Sequence, residues 1–513
     1  MSTFRMVKSQ QVRCNPWSAH FEDVGVGSKF SVQIYQWASS NNRDAIRDRQ
    51  GCNERFPAHL SFAQSTQSYF AEEILPMHVF VAERLSFLLL SFILDYSVYH
   101  LVPHGYMIAL VLLGSSSTLL TFQLRPFSNS LEAALLALSL VAYQRLYRSP
   151  TKAVLTCFTA LVVFGIFTRI TFLAFALPIV VSTLLNLWHG SSRNRISFLQ
   201  NLAYIAFAAL TVATALVLVD SRFFYGSFQH LAFTPYNLLL YNLSSENLAK
   251  HGLHPRWLHV TVNLPMIVGP TLVAYGLKAG WKHLTLPSAL NGRSAASPSR
   301  SINSICVYVI MISLVLLSVQ PHQEPRFLTP LLVPFIVLVA NHGIQNVGRW
   351  FWIITMALNF ALALVFGVLH QGGVVRSLLN LHELINVGTT QNRSTIVYWK
   401  TYMPPRHLLA IPRHHEQKAS VTDLAGSSPL EMQQALSSFT PEYTMLYLVT
   451  PPFAVQQLPS DIRSCFSTKS LVFPHLDLDH IPESVAMGWK DGLSLGIYTS
   501  SPGCLHSHPP SYH

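Results

Sequence analysis

An all-α polytopic membrane protein with a C-terminal region outside the bilayer is the fold class that three features of the sequence predict. Half of the 513 residues are hydrophobic and only 11% are charged, with a mean hydropathy of +0.33, whereas about a quarter of the residues in an ordinary soluble domain carry charge. The apolar residues come in runs close to the ~20 residues that a spanning helix requires. The basic residues behind the net charge of +11 fall in short clusters between those runs. That is how the positive-inside rule arranges cytoplasmic loops; a nucleic-acid surface would gather them on one face, so no nucleic acid is expected as a partner.

In chain order the runs are 79–98, which carries Glu83 and Arg84, then 105–124, 131–144, 153–170, 171–188, 199–219, 256–277, 303–319, 327–342 and 350–369. They predict roughly ten transmembrane or half-inserted helices, with 131–144 and 327–342 short enough to be tilted or half-inserted. No internal repeat is evident, which speaks against a transporter built from two matched halves. Residues 1–78 contain no run of spanning length, 79–369 form the polytopic unit, and 370–513 form the C-terminal region. In that last region "YTMLYLVTPPFAV" and "LSLGIYTS" are rich in β-branched and aromatic residues and read as strands of a small α/β cap.

Orientation follows from the basic clusters. Arg145, Arg148 and Lys152 fill one connection, Arg193 and Arg195 a second, and Lys278, Lys282, Arg293 and Arg300 a third, and all three read as cytoplasmic. Counting helices outward puts 125–130, the turn at Arg169, the loop 220–255, the PHQEPRF link and the chain after about residue 370 on the opposite face. Two glycosylation tripeptides, at Asn242 and Asn392, fall on that face and agree with an endoplasmic-reticulum lumen. Six cysteines show no zinc-like spacing, and the pairs His414-His415 and His506/His508 lack accompanying carboxylates, so no metal is expected. Cys465 and Cys504 share the tail and could pair if that tail is lumenal.

Polar chemistry therefore gathers on one side. Arg125-Pro-Phe-Ser-Asn129, Arg169, the stretch opening at Asp220, and His322, Glu324 and Arg326 lie on four separate connections. Ionisable groups near bilayer depth cost a few kcal/mol each unless they pair or face a wet cavity. Arginine and histidine there suit a phosphate, because guanidinium donates bidentate, charge-assisted hydrogen bonds to its oxygens; an apolar wall beside them suits a lipid tail. Singly, each group has a plainer reading: Arg125 and Arg169 as interface residues that snorkel, Asp220 as a turn residue, Glu324 and Arg326 as a local ion pair. Two prolines and three ionisable groups packed into PHQEPRF (321–327) are an unusual link between apolar helices, and there the functional reading is preferred.

HQEPRF, residues 322–327, resembles the HKE/HQE-x-RF signature of the GT-C mannosyltransferases, polytopic enzymes that use dolichyl-phosphate mannose in the endoplasmic-reticulum lumen. "DYSVYHLVP" (95–103), "FSNSLE" (127–132), "TRITFLAFALP" (168–178), "FTPYNLLLYNLSSENLAKHGLHPRWLHVTVN" (233–263), "FGVLHQGGVV" (366–375) and "TYMPPRHLL" (401–409) are similar to the branch that adds a fourth, side-branch mannose to a glycosylphosphatidylinositol (GPI) precursor. The resemblance implies a GT-C-like membrane domain, a dolichyl-phosphate-mannose donor, a GPI-precursor acceptor and no cofactor. It implies inverting transfer to the 2-hydroxyl of the third mannose. Under it His322 and Arg326 contact donor phosphate or sugar, Glu324 orients one of them or a substrate hydroxyl, and Gln323, Asn129, Arg169 and Asp220 complete the substrate site.

The beginning of the chain departs from that pattern. The family places a membrane helix and an HPDE motif first, and its Asp is the expected base. Here "HLSFAQSTQSYFAEEIL", 59–75, aligns best, with Ser61 and Phe62 where the acids would stand. Three readings stay open: a first exon other than the true one, which is the expectation; an inactive paralogue; or Glu72 or Glu73 in the base's place. Outside this chemistry, a same-family enzyme with another GPI or N-glycan acceptor is the nearest alternative, and a lipid transporter or scramblase the alternative of a different class.

Overall fold

The computed structural model describes residues 75–190, 195–243, 254–285, 298–342, 347–387, 394–411, 419–438, 445–500 and 504. Glu72, Glu73, Ser61, Phe62, Arg193, Arg293, Asn392 and the two histidine pairs lie outside the described residues. Among the described residues, five helices are long and apolar enough to cross a membrane, or six when one bent pair is taken as a single span.

Helix α1, Pro76–Leu101, opens with proline at its first position, where the missing N–H costs nothing, and Pro103 follows its end. Its buried residues Glu83, Phe87, Ser91, Leu94, Val98 and Leu101 recur every three or four positions, which is one helical stripe; Leu85, Leu88, Leu89 and Phe92 point outward. The expected span 105–124 is interrupted. Helix α2 covers only Tyr106–Gly114, and a π-helical turn follows at Leu119–Gln123. Between them Ser115 to Thr118 place four hydroxyls in sequence, and such side chains compete with the helix ladder for backbone groups: Thr118 Oγ1 donates to the Ile267 carbonyl at 2.5 Å.

Helix α3, Ser128–Arg148, is buried along most of its length and packs against α1, against α4 (Lys152–Thr168) and against α5 (Phe172–Gly190). Ser130, Glu132, Ser139 and Gln144 are among its buried residues. This polarity keeps α3 out of the lipid-like class despite its length, because it is walled by other helices. Helix α6, Arg195–Tyr225, is 31 residues long and at ~1.5 Å per residue exceeds the ~30 Å hydrocarbon core. Its last turns leave the apolar zone and bury Asp220 and Ser221, and α7, Thr234–Leu243, comes next.

The expected span 256–277 is a bent pair, His259–Val268 and Pro270–Leu284, at 110°. Its two helices, α8 (Leu264–Val268) and α9 (Pro270–Thr285), meet at Gly269, whose φ of +95° only glycine takes readily, followed by a proline that cannot continue the ladder. Helix α10, Pro298–Val319, leads into the PHQEPRF link. The expected helix 327–342 begins instead as a 3₁₀ segment, Pro325–Leu331, because Pro325 and Pro330 each remove a donor; it continues as α11, Leu332–Asn341, entirely buried but for its end. Helix α12, Arg349–Leu364, runs through a π-helical turn to Leu369.

Beyond α12 the chain is mixed α/β. Strands β1 (Ser394–Tyr398), β2 (Ala419–Asp423), β3 (Met445–Thr450), β4 (Phe466–Val472) and β5 (Leu495–Ser500) form one sheet in the order β2-β1-β3-β5-β4. β1 is parallel to both its neighbours, and β5 is antiparallel to β3 and β4. Alternation along the strands feeds two cores. Ile396, Tyr398, Tyr447 and Val449 pack with Val374, Leu378 and Leu381 of α13 (Gly373–Val387), and Val397, Trp399 and Leu448 pack with Met432 and Leu436 of α14 (Pro429–Ser438). Val79 and Phe80 of α1 close the first core. Cys465 before β4 and Cys504 after β5 form a disulfide with their Cα atoms 5.7 Å apart.

Candidate active site

The link between α10 and α11 is held from below by one amide. Gln323 is 1% exposed; its Oε1 accepts from the His259 N–H at 2.9 Å, and its Nε2 faces the carbonyls of Arg256, Ser318 and Gln320 at 3.2–3.3 Å. Its backbone N–H donates to His254 Nδ1. Sequence reading placed Gln323 with the substrate, and the structure places its side chain on main chain.

On this base Glu324 is clamped between its neighbours. His322 Nε2 lies 2.9 Å from one carboxylate oxygen, and Arg326 Nε pairs with the other. Burial alone pushes the Glu324 carboxyl up, but the His322 hydrogen bond and the Arg326 charge outweigh it and hold the group at about 2. It is a carboxylate at any physiological pH.

Two arginine–aromatic stacks then cross between the links. Arg326 lies over Phe127 with its guanidinium carbon 5.0 Å from the ring centroid, and Arg169 lies over Phe327 at 5.1 Å. Phe127 is the N-cap residue of α3, and Arg169 caps the end of α4. Arg169 is further fixed: Nε donates to Thr171 Oγ1 at 3.1 Å, a terminal nitrogen donates to Ser128 Oγ at 3.0 Å, and Nε is 3.5 Å from Glu132. Glu132, fully buried, also accepts from Thr171 at 2.9 Å and from Asn129 Nδ2 at 3.3 Å. Asn129, expected among the substrate ligands, is thus turned toward Glu132.

A second set of cations converges from α1 and the 124–127 turn. Arg125 donates to the Phe366 carbonyl at 2.7 Å and Arg84 to the Leu124 carbonyl at 3.1 Å. Burial, with Arg84 and Arg326 nearby, lowers the Arg125 guanidinium to about 10, against a smaller opposing effect of Tyr402. Like charges that approach one another in a partly desolvated place attract an anion. Tyr402, in the α/β unit and more than half exposed, meets His370 Nε2 at 3.0 Å, and His370 packs edge-on to Phe366, whose carbonyl Arg125 holds; partial burial, then Asp479, Glu324 and Asp477, pushes the Tyr402 hydroxyl up to about 12. The α/β unit therefore forms one wall of this site.

Asp220 is buried at the end of α6 and accepts from Thr234, while Ser221 accepts from the Ala232 N–H at 2.9 Å; together they pin the return of their own loop. Glu132, Arg84, Tyr402 and Arg125 are not among the ligands that the sequence predicts. The run Arg125-Pro-Phe-Ser-Asn-Ser-Leu-Glu132 holds the signal for two of them, since Arg125, Phe127, Ser128, Asn129 and Glu132 all engage the same site. Among the described residues no group of three or more His, Cys, Asp or Glu side chains is placed to hold a metal ion.

Comparison with known proteins adds a family. The sequence model of the Alg9-like mannosyltransferase family matches residues 56–410. The chain is 36% identical to the GPI alpha-1,2-mannosyltransferase 4 of Homo sapiens over 81% of its own length and 77% of that protein's. It is 34% identical to the GPI mannosyltransferase 4 of Emericella nidulans over 69% and 64% of the two lengths. Among solved structures, the crystal structure of ArnT from Cupriavidus metallidurans bound to undecaprenyl phosphate matches 84% of this chain and 85% of that one, at 11% identity and a TM-score of 0.44, a likeness too loose to carry an argument.

Proposed function

The chain belongs to the Alg9-like mannosyltransferase family, and from that premise we propose that it transfers mannose from dolichyl-phosphate mannose to the third mannose of a GPI precursor, in α-1,2 linkage, at the lumenal face of the endoplasmic-reticulum membrane. The observation that carries the donor half of this reading is that Arg326, stacked on Phe127, and Arg84, bonded to the Leu124 carbonyl, both reach the short turn that bears Arg125, with His322 and Glu324 beside Arg326 and an apolar helical unit next to them. A lipid-linked sugar phosphate has the complementary chemistry, a chain for the bilayer and an anion for the guanidinium groups. The acceptor half rests on the relatives named GPI mannosyltransferase 4. The lumenal side is supported by the basic connections on the opposite face and by the Cys465–Cys504 disulfide, a bond suited to an oxidising compartment.

In this reaction the acceptor hydroxyl oxygen forms a bond to the anomeric carbon as the bond from that carbon to the phosphate oxygen breaks, inverting the centre. The electron pair leaves with dolichyl phosphate, and donors preorganised around that oxygen lower the barrier where charge develops. Arg326 and His322 have that role, with Arg125 and Arg84 adding field. Glu324, ionised and held on both oxygens, sets the direction of the His322 and Arg326 side chains. Arg169 and Glu132 brace Phe327 and the α3 start from behind. The hydroxyl proton passes to a base, for which Glu72 and Glu73 are the sequence candidates. A cell-free assay with radiolabelled dolichyl-phosphate mannose and a three-mannose GPI acceptor tests the whole: a four-mannose product sensitive to α-1,2-mannosidase is expected, and no transfer by a full-length preparation that retains its N-terminus overturns it.

A further inference from the structure

The connection between β4 and β5 leaves the sheet and returns. It carries two short helices, α15 (Ile481–Ala486) and α16 (Gly488–Gly492), and its large apolar side chains face outward: Ile481 is 44% exposed, Val485 72% and Trp489 80%, with Phe473 at its root 52% exposed. Ile481 and Val485 are one turn apart on α15, so they share a face. Exposed apolar side chains also occur elsewhere on the α/β unit, at Met403, Leu430 and Met445, and singly they are ordinary; the four gathered on this one excursion, two of them on one helical face, mark an interaction surface.

What covers that surface is indicated by where the excursion is rooted. The Leu476 N–H donates to the Leu369 carbonyl at 2.8 Å, the Gln371 N–H donates back to Leu476 at 3.1 Å, and the His475 N–H donates to Leu493 at 2.8 Å. Leu369 is the last residue of the spanning segment Arg349–Leu369. The start of the excursion is therefore fixed to the end of a membrane span, and its return at Leu493 is tied to that start through His475. Arg376, on α13 beyond that span, donates to the Phe473 carbonyl. Chain length bounds the rest: at ~3.5 Å per residue, Trp489 lies at most about 14 Å from Leu493, and Ile481 at most about 18 Å from Leu476. The headgroup zone is about 5–8 Å deep per leaflet, so the tether is long enough for the exposed side chains to enter it. Tryptophan and lysine, here exposed Trp489 and the exposed Lys490 that follows it in sequence, are residues that favour that zone.

We propose that this excursion is a membrane-surface anchor: Ile481, Val485 and Trp489 insert into the headgroup–acyl boundary of the leaflet in which α12 ends, continuing the lipid-facing surface of that span onto the α/β unit. It holds the unit, and with it Tyr402, at a set height above the site. The inference does not depend on the transferase reading.

The test uses the full chain in phosphatidylcholine nanodiscs, with Cys14, Cys52 and Cys157 replaced by Ser and a bimane label at Val485→Cys or Trp489→Cys. The same label at Glu431→Cys, an exposed position on α14, is the reference. Nitroxide lipid labelled near the headgroup is expected to quench the labels at 485 and 489 at least about threefold more than the label at 431, as for an interfacial segment. Equal quenching at all three positions overturns the proposal. Blue-shifted but unquenched labels at 485 and 489 overturn it too, because a second copy or another protein would then be the cover. Val485, Trp489, Glu431 and Cys157 are exposed, and none of them belongs to the disulfide or to either core of the α/β unit.

Discussion

The guanidinium of Arg326 sits 5.0 Å from the ring centroid of Phe127 while its Nε pairs with Glu324, so one side chain ties the α10–α11 link to the start of α3. Its planar fork is used on one face and at its edge. Arg326→Ala should lower mannose transfer at least about 100-fold, the scale for losing one charge-stabilising donor, with unchanged membrane content on blots. Arg326→Lys keeps the charge and loses the fork, and should recover only a small part. Normal transfer by either variant removes Arg326 from the donor site.

Glu324 gives a pH prediction. Its carboxyl is depressed from 4.5 to about 2, so its ionised form favours the folded state wherever the unfolded chain would also be ionised, above about 4.5, and the contribution disappears as pH falls through the folded value. The difference in Tm between the detergent-solubilised protein and Glu324→Gln should be constant between about pH 5 and pH 8 and shrink steadily below about pH 4.5. A difference that instead grew on acidification would mean the carboxyl is not held by His322 and Arg326.

Buried Glu132 pairs with partly exposed Arg169, 3.5 Å away. Glu132→Ala leaves the Arg169 charge without its carboxylate, though still bonded to Thr171 and Ser128, and should destabilise the protein by about 1–3 kcal/mol, seen as a lower Tm and lower steady-state level. Replacing both, Glu132→Leu with Arg169→Met, should recover much of that stability, since an apolar pair of similar volume is often tolerated, yet transfer should stay impaired because Phe327 loses its stack. A fully active double variant would show that the pair only fills space.

The Cys465–Cys504 disulfide fixes a topology experiment. In sealed microsomes an impermeant maleimide should fail to label either cysteine before reduction and detergent treatment, and non-reducing peptide maps should show the two linked. Reduction should increase proteolysis after β5, whose end the bond closes onto β4. Labelling of both thiols from the cytoplasmic side would invert the proposed orientation.

How much of this could be read from the residues depended on how local the signal was. His322, Glu324 and Arg326 sit within five positions, and their ion pairs are the kind that adjacency reveals. "YTMLYLVTPPFAV" and "LSLGIYTS" contain β3 and β5, because fully buried strands concentrate β-branched and aromatic residues. Glu132 went unassigned because it stands at the edge of an apolar run, and its partner Arg169 is on another helix. The breaks at Ser115–Thr118 and Gly269 were hidden for a related reason: hydropathy averages over a window, whereas a hydroxyl run or one positive φ interrupts a helix at a point. Gln323 read as a ligand because of its company; only the fold shows four backbone groups closing around its amide.

That amide separates where the link is from what it offers. Position is specified by an uncharged side chain facing inward, and reactivity by the charged neighbours on either side of it. Substitutions at 322, 324 or 326 can therefore alter the charge presented to a ligand while the link stays seated, so the chemistry of this link can change without rebuilding the site's foundation.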